Sequence, residues 1–580
     1  MAGAFVPKAD KSARAESMTA GGVLLARLKA LGVDYIFANS GTDFPPIIEG
    51  LAEASADDID LPEALVMPHE SAAMGMAHGY YLATGRPQAV MAHTNVGLAN
   101  CAIGAINAAA ESVPILLFSG RTPILEKGRL GARSVPIGWG QEMRDQTALV
   151  REACKWDYEL RYPEQAIDLV DRAHGIALST PPGPVYISLP REPLSDVCPA
   201  DGLDSPPTMA PAVAAPQASD IAKVAKILAK ADRPVIIAQH GAGSVEGFET
   251  LTRLVNEWAI PVCHYWALQV AISTDDPMYV GRDPEPWISE ADAVVILDSL
   301  APWSPEIHQP APDCPVIQIG PDPLHSRFPI RNFRADLSIL SGTAPAIAAL
   351  AKALEPLAAA HQTKCEVRRE KIMDRSDAIR ARMEGVATAG SGTPLTKAWA
   401  SHCLSQSLSD HGPSTVITEL GCPLDFLSRT EHNSFQLAPH SGGLGWGFPC
   451  ALGIQLADRE RIVVATLGDG SYLFSNPAVC HQIAEALDLP VLVLILNNAE
   501  WRAVRQSVLE IYPDGHASKA NQMPMTSLAP HPDFVKIAEA SRAWARRVAK
   551  GPDLPGVLAA AIEHVQSKRT QALVEVVLGD

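Results

Sequence analysis

The stretch from Leu467 to Trp501 constrains this chain most, because it sets a Gly-Asp-Gly-Ser turn and an Asn-Asn turn at the ends of two strands that can be neighbours in a parallel sheet. Arg461 to Leu467 is an apolar run that reads as a buried strand, and open α/β sheets bind ligands at the carboxyl ends of their strands. A helix is expected over roughly Pro477 to Leu487. Pro490 to Leu496, apolar throughout as a strand covered on both faces must be, then ends in Asn497-Asn498. At such an edge Asp469 offers a carboxylate oxygen, Asn498 an amide oxygen and Glu500 a backbone carbonyl. These are hard oxygen ligands suited to Mg²⁺, which takes its remaining ligands from phosphate and water. Gly468, Gly470 and Ser471 leave room and N–H donors for phosphate oxygens at the start of the next helix. The Gly-Asp-Gly turn alone fits a plain βαβ unit equally well. Strand, turn, helix, strand and double Asn together favour a diphosphate site.

At 580 residues the chain exceeds a single core. Alternating helical and strand-like patterns predict an α/β fold of three doubly wound, mainly parallel-sheet domains. The expected limits are 1–190, a Pro- and Ala-rich linker 191–220, a Rossmann-like domain 221–350, a charged helical connector 351–392, and a last domain 393–580. A net charge of −18 argues against nucleic acid or an anionic membrane as partner. Residues 1–20 lack a secretory apolar core and no run of eighteen apolar residues occurs, so a cytoplasmic protein is expected. Ten scattered cysteines without a Cys-x-x-Cys pair read as core residues in a reducing compartment.

Asp469 to Asn498 resembles the thiamine-diphosphate signature that opens with GDG and closes with NN, at a slightly longer spacing than usual. With further matches along nearly the whole chain, the sequence resembles the acetolactate synthase, benzoylformate decarboxylase and pyruvate decarboxylase family. The resemblance implies pyrimidine-binding, central Rossmann-like and diphosphate-binding domains, with thiamine diphosphate and Mg²⁺ as cofactors.

Read by itself, Glu70 is an acid near a helix N-terminus, where carboxylates are commonly just stabilising. The sequence His69-Glu70-Ser-Ala resembles the family's site for the glutamate that bonds the aminopyrimidine ring and favours its proton-accepting imino tautomer. His93-Thr-Asn-Val-Gly-Leu-Ala-Asn100 resembles the benzoylformate decarboxylase branch, in which a histidine opens this segment and serves as acid or base. Asn39-Ser-Gly-Thr42 resembles that branch's substrate-contacting turn, with Ser40 replacing its usual proline, so Thr42 and Asp43 are expected in the substrate pocket. Arg121 meets an anionic substrate, a partner's carboxylate, or an ordinary surface acid.

Gly421 and Cys422 lie where relatives offer backbone groups to the diphosphate. Ser441 to Pro449 resembles the cofactor-bending loop, with Leu444 as apolar wedge and Gly442, Gly443 and Leu444 against the pyrimidine. Trp501, Arg502 and Val504 complete the substrate pocket, and Tyr512 to Leu528 reads as a mobile cover. The arginines that hold FAD in acetolactate synthases are missing after Leu297, so FAD is not expected.

The function implied is carbon–carbon bond cleavage or formation beside a carbonyl, in a 2-oxo acid or ketol. A homodimer is the minimum, since family sites are completed by two chains, and a homotetramer is expected. The alternatives are an acetolactate synthase-like carboligase and an inactive cofactor-binding scaffold.

Overall fold

The computed structural model describes residues 17–56, 58–200, 202–203 and 205–579; the N-terminal stretch read as lacking a secretory core lies largely outside them. The chain divides into two compact units, Met1–Ala212 with His440–Gly443, and Val213–Pro439 with Leu444–Asp580.

In the first unit β1 (Ser17–Thr19) is followed by β2 (Tyr35–Ala38), β3 (Glu63–Val66), β4 (Ala89–Ala92), β5 (Leu116–Arg121), β6 (Trp156–Glu159), β7 (Val185–Pro190) and β8 (Val197–Pro199). Six of these form a parallel sheet in the order β3-β2-β4-β5-β7-β6. The chain leaves β2 toward one edge and returns to the other side of it at β4. The gap between the carboxyl ends of β2 and β4 is therefore a topological switch point, where loops diverge and leave a crevice.

The second unit holds two parallel sheets. β9 (Pro234–Ala238), β10 (Val262–Cys263), β11 (Ala293–Leu297), β12 (Val316–Gly320) and β13 (Leu337–Leu340) pair in the order β10-β9-β11-β12-β13. β14 (Ser414–Glu419), β15 (Phe435–Leu437), β16 (Ile462–Gly468), β17 (Leu492–Asn497), β18 (Trp544–Val548) and β19 (Ala572–Val577) pair in the order β15-β14-β16-β17-β19-β18. That order repeats the six-stranded pattern of the first unit, with the switch point between β14 and β16. All six residues of β17 are buried, which explains its unbroken apolar run. Three doubly wound, mainly parallel sheets with helices are thus the architecture of the chain.

Two stretches do more than connect. Within 191–220, Arg191–Ser195 is helical and β8 pairs antiparallel with β1. The buried Arg27 donates to the carbonyls of Leu203 (2.7 Å) and Ser205 (2.8 Å) as well as to Asp171. In the expected connector, Ala358–Ala389 is one helix, and its buried Arg368 donates to the carbonyls of Ala259 (2.8 Å) and Ala231 (2.9 Å). These bonds fasten it to the carboxyl ends of the helices Ala218–Lys230 and Val245–Trp258, because a guanidinium taken from water needs its donors satisfied. Nine of the ten cysteines are buried and Cys154 is partly exposed, and among the described residues no disulfide joins any of them. Among the described residues no helix is long and apolar enough to cross a membrane.

Candidate active site

In the first unit, β2 runs into the turn carrying Thr42 and Asp43, and β4 runs into His93. Asp43 is buried and is hydrogen-bonded through Oδ1 to His93 Nδ1, while its Oδ2 accepts the Thr94 N–H at 3.1 Å. Gly41 and Gly120 make this possible: a Cβ on Gly41 would collide with the His93 ring, and one on Gly120 with the Asp43 carboxylate. The hydrogen bond to Asp43 raises the His93 pKa above its ordinary value, against a smaller opposing effect of burial. His93 Nε2 lies 2.9 Å from Gln141 Nε2. Nδ1 is engaged by Asp43, which leaves Nε2, beside Gln141, as the ring atom that faces proton exchange.

Glu70 is the first residue of the helix Glu70–Thr84, whose N-cap His69 accepts the Ser71 N–H at 3.2 Å. The Glu70 side chain is buried; Oε2 accepts from Asn100 Nδ2 at 2.9 Å, and Gly97 leaves the space occupied by Oε1. A cavity of about 230 Å³ is lined by Thr42, Asp43, Thr94, Arg121, Gln141 and Arg191, among others. Arg121 reaches it already paired, with Glu159 at 2.7 Å and Glu142 at 2.8 Å. Asp43 lines this cavity as expected, and each of its oxygens also makes one hydrogen bond within the protein, to His93 and to the Thr94 amide. His440–Gly443 groups with this unit, where Asn107 Nδ2 donates to the Gly443 carbonyl (2.9 Å) and Ser441 Oγ to Asn107 Oδ1 (2.7 Å). Gly442 has φ +69 and nothing near its missing Cβ.

In the second unit β16 ends at Gly468, and Asp469 opens the short helix Asp469–Phe474. Asp469 is buried; Oδ1 accepts the Gly470 N–H at 3.0 Å and Oδ2 has no hydrogen-bond partner. Burial raises its pKa, and the amides of Gly470 and Ala499 only partly offset this. A dry, unpaired carboxylate oxygen is costly unless a cation completes it. Beside it, β17 pairs with β16 in a register that sets Leu496 against Gly468, so the Asn-Asn turn follows directly. Asn497 Oδ1 accepts the Ala499 N–H (3.0 Å) and Asn498 Oδ1 the Glu500 N–H (3.2 Å), shaping that turn.

The chemistry of this oxygen set fits a divalent cation. Among the described residues no group of three or more His, Cys, Asp or Glu could hold a metal, so amide and carbonyl oxygens must supply the rest of any such site. Two expectations shift. The Gly470 N–H is turned onto Asp469, and the buried Cys422 donates its N–H to Thr466 Oγ1 at 3.1 Å, so neither amide is free for phosphate. Gly421 packs against Thr466 too closely for a Cβ. Ser471 is buried, and Leu444 is half-buried. Trp501 packs its ring over Gly470, whereas Arg502 and Val504 are exposed on the helix Arg502–Ile511.

The cover read over Tyr512 to Leu528 is anchored at its far end. Trp501 N–H donates to the Thr526 carbonyl at 2.7 Å, Leu528 N–H to the Ala499 carbonyl at 2.8 Å, and Thr526 Oγ1 to Glu500 Oε1 at 2.9 Å.

Residues 18–149 match the thiamine pyrophosphate enzyme N-terminal TPP binding domain, 221–350 the central domain and 420–576 the C-terminal TPP binding domain. The chain belongs to the thiamine pyrophosphate enzyme family. It is 25% identical over 543 residues to a probable 2-ketoarginine decarboxylase of Pseudomonas aeruginosa, covering 90% of this chain and 88% of that one. It is 26% identical over 573 residues to the large subunit of acetolactate synthase isozyme 3 of Escherichia coli, covering 93% and 91%. In fold it is similar to a thiamine diphosphate-dependent 4-hydroxybenzoylformate decarboxylase of Rhodococcus jostii, with a TM-score of 0.74 and 21% identity over 97% of this chain and 99% of that chain. This thiamine diphosphate-dependent enzyme therefore carries the whole three-domain architecture of its relatives.

Sequence reasoning passed over three residues of the site. Asn100 stood only as the end of a motif, Gln141 lay in an unpatterned loop, and Glu419 ended a strand without drawing notice. The last had a usable signal, since an acid closing an otherwise apolar, doubly covered strand needs a partner.

Proposed function

We propose that this enzyme uses thiamine diphosphate with Mg²⁺ to cleave or form a carbon–carbon bond beside a carbonyl, decarboxylating a 2-oxo acid in the manner of the benzoylformate decarboxylase branch. The observation that carries the reading is the buried Asp469 Oδ2, which has no protein partner at the carboxyl edge of a switch point. Asp469, Asn498 and the Glu500 carbonyl would hold the metal, and Gly468, Ser471 and Gly421 would border the diphosphate. When bound, the cofactor would supply a nucleophilic carbon and an electron sink for the bond beside the carbonyl.

The protein's own part is proton management and exclusion of water. Glu70, fixed by Asn100, would hold a proton against the aminopyrimidine ring, with Gly442, Gly443 and Leu444 along it. His93, oriented by Asp43, would exchange a proton with the substrate oxygen through Nε2. The 230 Å³ cavity beside Thr42 suits a small oxo acid. Trp501, Arg502 and Val504 would shape the rest of the substrate site. The active form would be a homodimer or homotetramer in the cytoplasm.

The relatives named acetolactate synthase favour a second reading, carboligation of the acyl unit onto another carbonyl without FAD. The deciding assay follows consumption of pyruvate, a branched 2-oxo acid, benzoylformate, oxalyl-CoA and a benzoin-type ketol, with and without thiamine diphosphate and Mg²⁺. Cofactor-dependent turnover that disappears in Glu70→Gln while calorimetric cofactor binding persists supports the proposal. Equal turnover in Glu70→Gln sinks it. Release of aldehyde and CO₂ selects decarboxylation, and a ketol product selects ligation.

A further inference from the structure

β14 is buried at every position, yet it ends in the carboxylate of Glu419, which is 1% exposed. A strand core has no use for an acid there: an unpaired one is expensive, and an apolar residue would pack as well. The cost is met by one segment of chain. Glu419 Oε1 accepts the Gly445 N–H at 2.6 Å and Oε2 accepts the Gly447 N–H at 2.5 Å. Both are short, in the range of hydrogen bonds to an ionised acceptor. Burial pushes the Glu419 carboxyl up to about 7, opposed by the amides of Gly445 and Gly447, the Ser471 hydroxyl and the Trp446 amide.

The consequence lies in the peptide planes. The Gly445 N–H belongs to the plane that contains the Leu444 carbonyl, so fixing it sets how Leu444 is presented. Gly445 itself has φ +87, and a Cβ there would strike the Phe474 carbonyl. A backbone in that region keeps one shape only when something outside it holds it. One planar carboxylate gripping two amides two residues apart is such a hold.

We propose that Glu419 is a positioning residue: its carboxylate clamps the backbone of Leu444–Gly447 and so presents Leu444 to the cofactor. The second half of this statement rests on the function proposed above; the clamp itself does not.

The test is amide hydrogen exchange on the full-length protein without cofactor, followed by the near-ultraviolet circular dichroism band and turnover of the holoenzyme. In the wild type, Gly445 and Gly447 should exchange far more slowly than Gly442. Glu419→Gln keeps shape and one acceptor but turns a donor toward one of the two amides. It should speed exchange at Gly445 or Gly447 by about tenfold or more, leaving β14 and β16 unchanged, since the hydrogen bond lost is charge-assisted. The bound-cofactor band should shrink and kcat fall by about tenfold, with KM within a few-fold.

Unprotected Gly445 and Gly447 amides in the wild type overturn the proposal with no variant needed, even if Glu419→Gln fails to fold. So does Glu419→Gln with wild-type exchange, or with altered exchange but an unchanged band and kcat. Leu444→Ala separates the two readings: if it leaves band and turnover intact, the cofactor-bending role of the loop fails, whereas the exchange data still decide whether the clamp exists.

Discussion

The two six-stranded sheets share one strand order, and each ends in a buried aspartate at its switch point, yet the two aspartates are in opposite states. Asp43, in the first unit, has both oxygens bonded, to His93 and to the Thr94 amide. Asp469, in the second, has one oxygen on Gly470 and the other on nothing. Topology supplies the crevice in both cases, and local chemistry decides its use. A carboxylate saturated by its own chain orients a neighbour. One left half-bonded in a dry place carries a cost that its own chain does not offset.

The sharpest test of this contrast is Asp469→Asn. In the wild type, Mg²⁺ with thiamine diphosphate at a hundred times Kd should raise stability to unfolding by about 2.7 kcal/mol. Asp469→Asn should show almost none of this, with cofactor affinity down at least about a hundredfold, whereas the ligand-free protein stays as stable as wild type because an unpaired buried charge has gone. A ligand-free variant clearly weaker than wild type in denaturant unfolding would break the comparison.

Asp43→Asn should behave in the opposite way, losing about 1–3 kcal/mol without any ligand, since it leaves His93 and Thr94 poorly paired. In the same variant the His93 titration followed by NMR should move down toward its ordinary value of 6.5. An unmoved titration would mean Asp43 does not set the charge of His93.

The pH dependence carries the same information at smaller amplitude. Because the folded-state pKa of His93 is raised, its contribution is fully present below 6.5 and fades as pH rises through the folded value. Wild-type stability should therefore fall across the window just above 6.5, and Asp43→Asn should flatten that part of the curve.

The smallest expected effect is that of Arg121→Ala. Its ion pairs with Glu142 and Glu159 are partly exposed and should contribute about 0–1 kcal/mol to stability. A KM rise confined to anionic substrates would show that Arg121 also faces the substrate.

Much of this was legible in the residues. The apolar runs that became β16 and β17, the Gly-Asp-Gly and Asn-Asn turns, and the helix opening at Glu70 each follow from local pattern, because doubly covered strands and helix starts leave short-range signatures. Two residues of the same pocket show where such reading stops. Thr42 and Asp43 are adjacent and polar, and sequence ranked them alike, yet Thr42 is exposed at the cavity while Asp43 is buried under Gly120. Their partners lie about fifty residues or more away in sequence, and no periodicity encodes them.

The sequence by itself determined the three-sheet α/β architecture, the family and the turns that close β16 and β17, since these rest on patterns confined to single strands and turns. Only the tertiary structure decided which polar atoms are already satisfied. It spent Asp43 on His93, the Cys422 amide on Thr466 and Glu419 on the Gly445 and Gly447 amides, and it left one oxygen of Asp469 bare. The physical reason is that hydrogen bonds between strand ends depend on sheet order and burial, which bring together residues far apart in the chain.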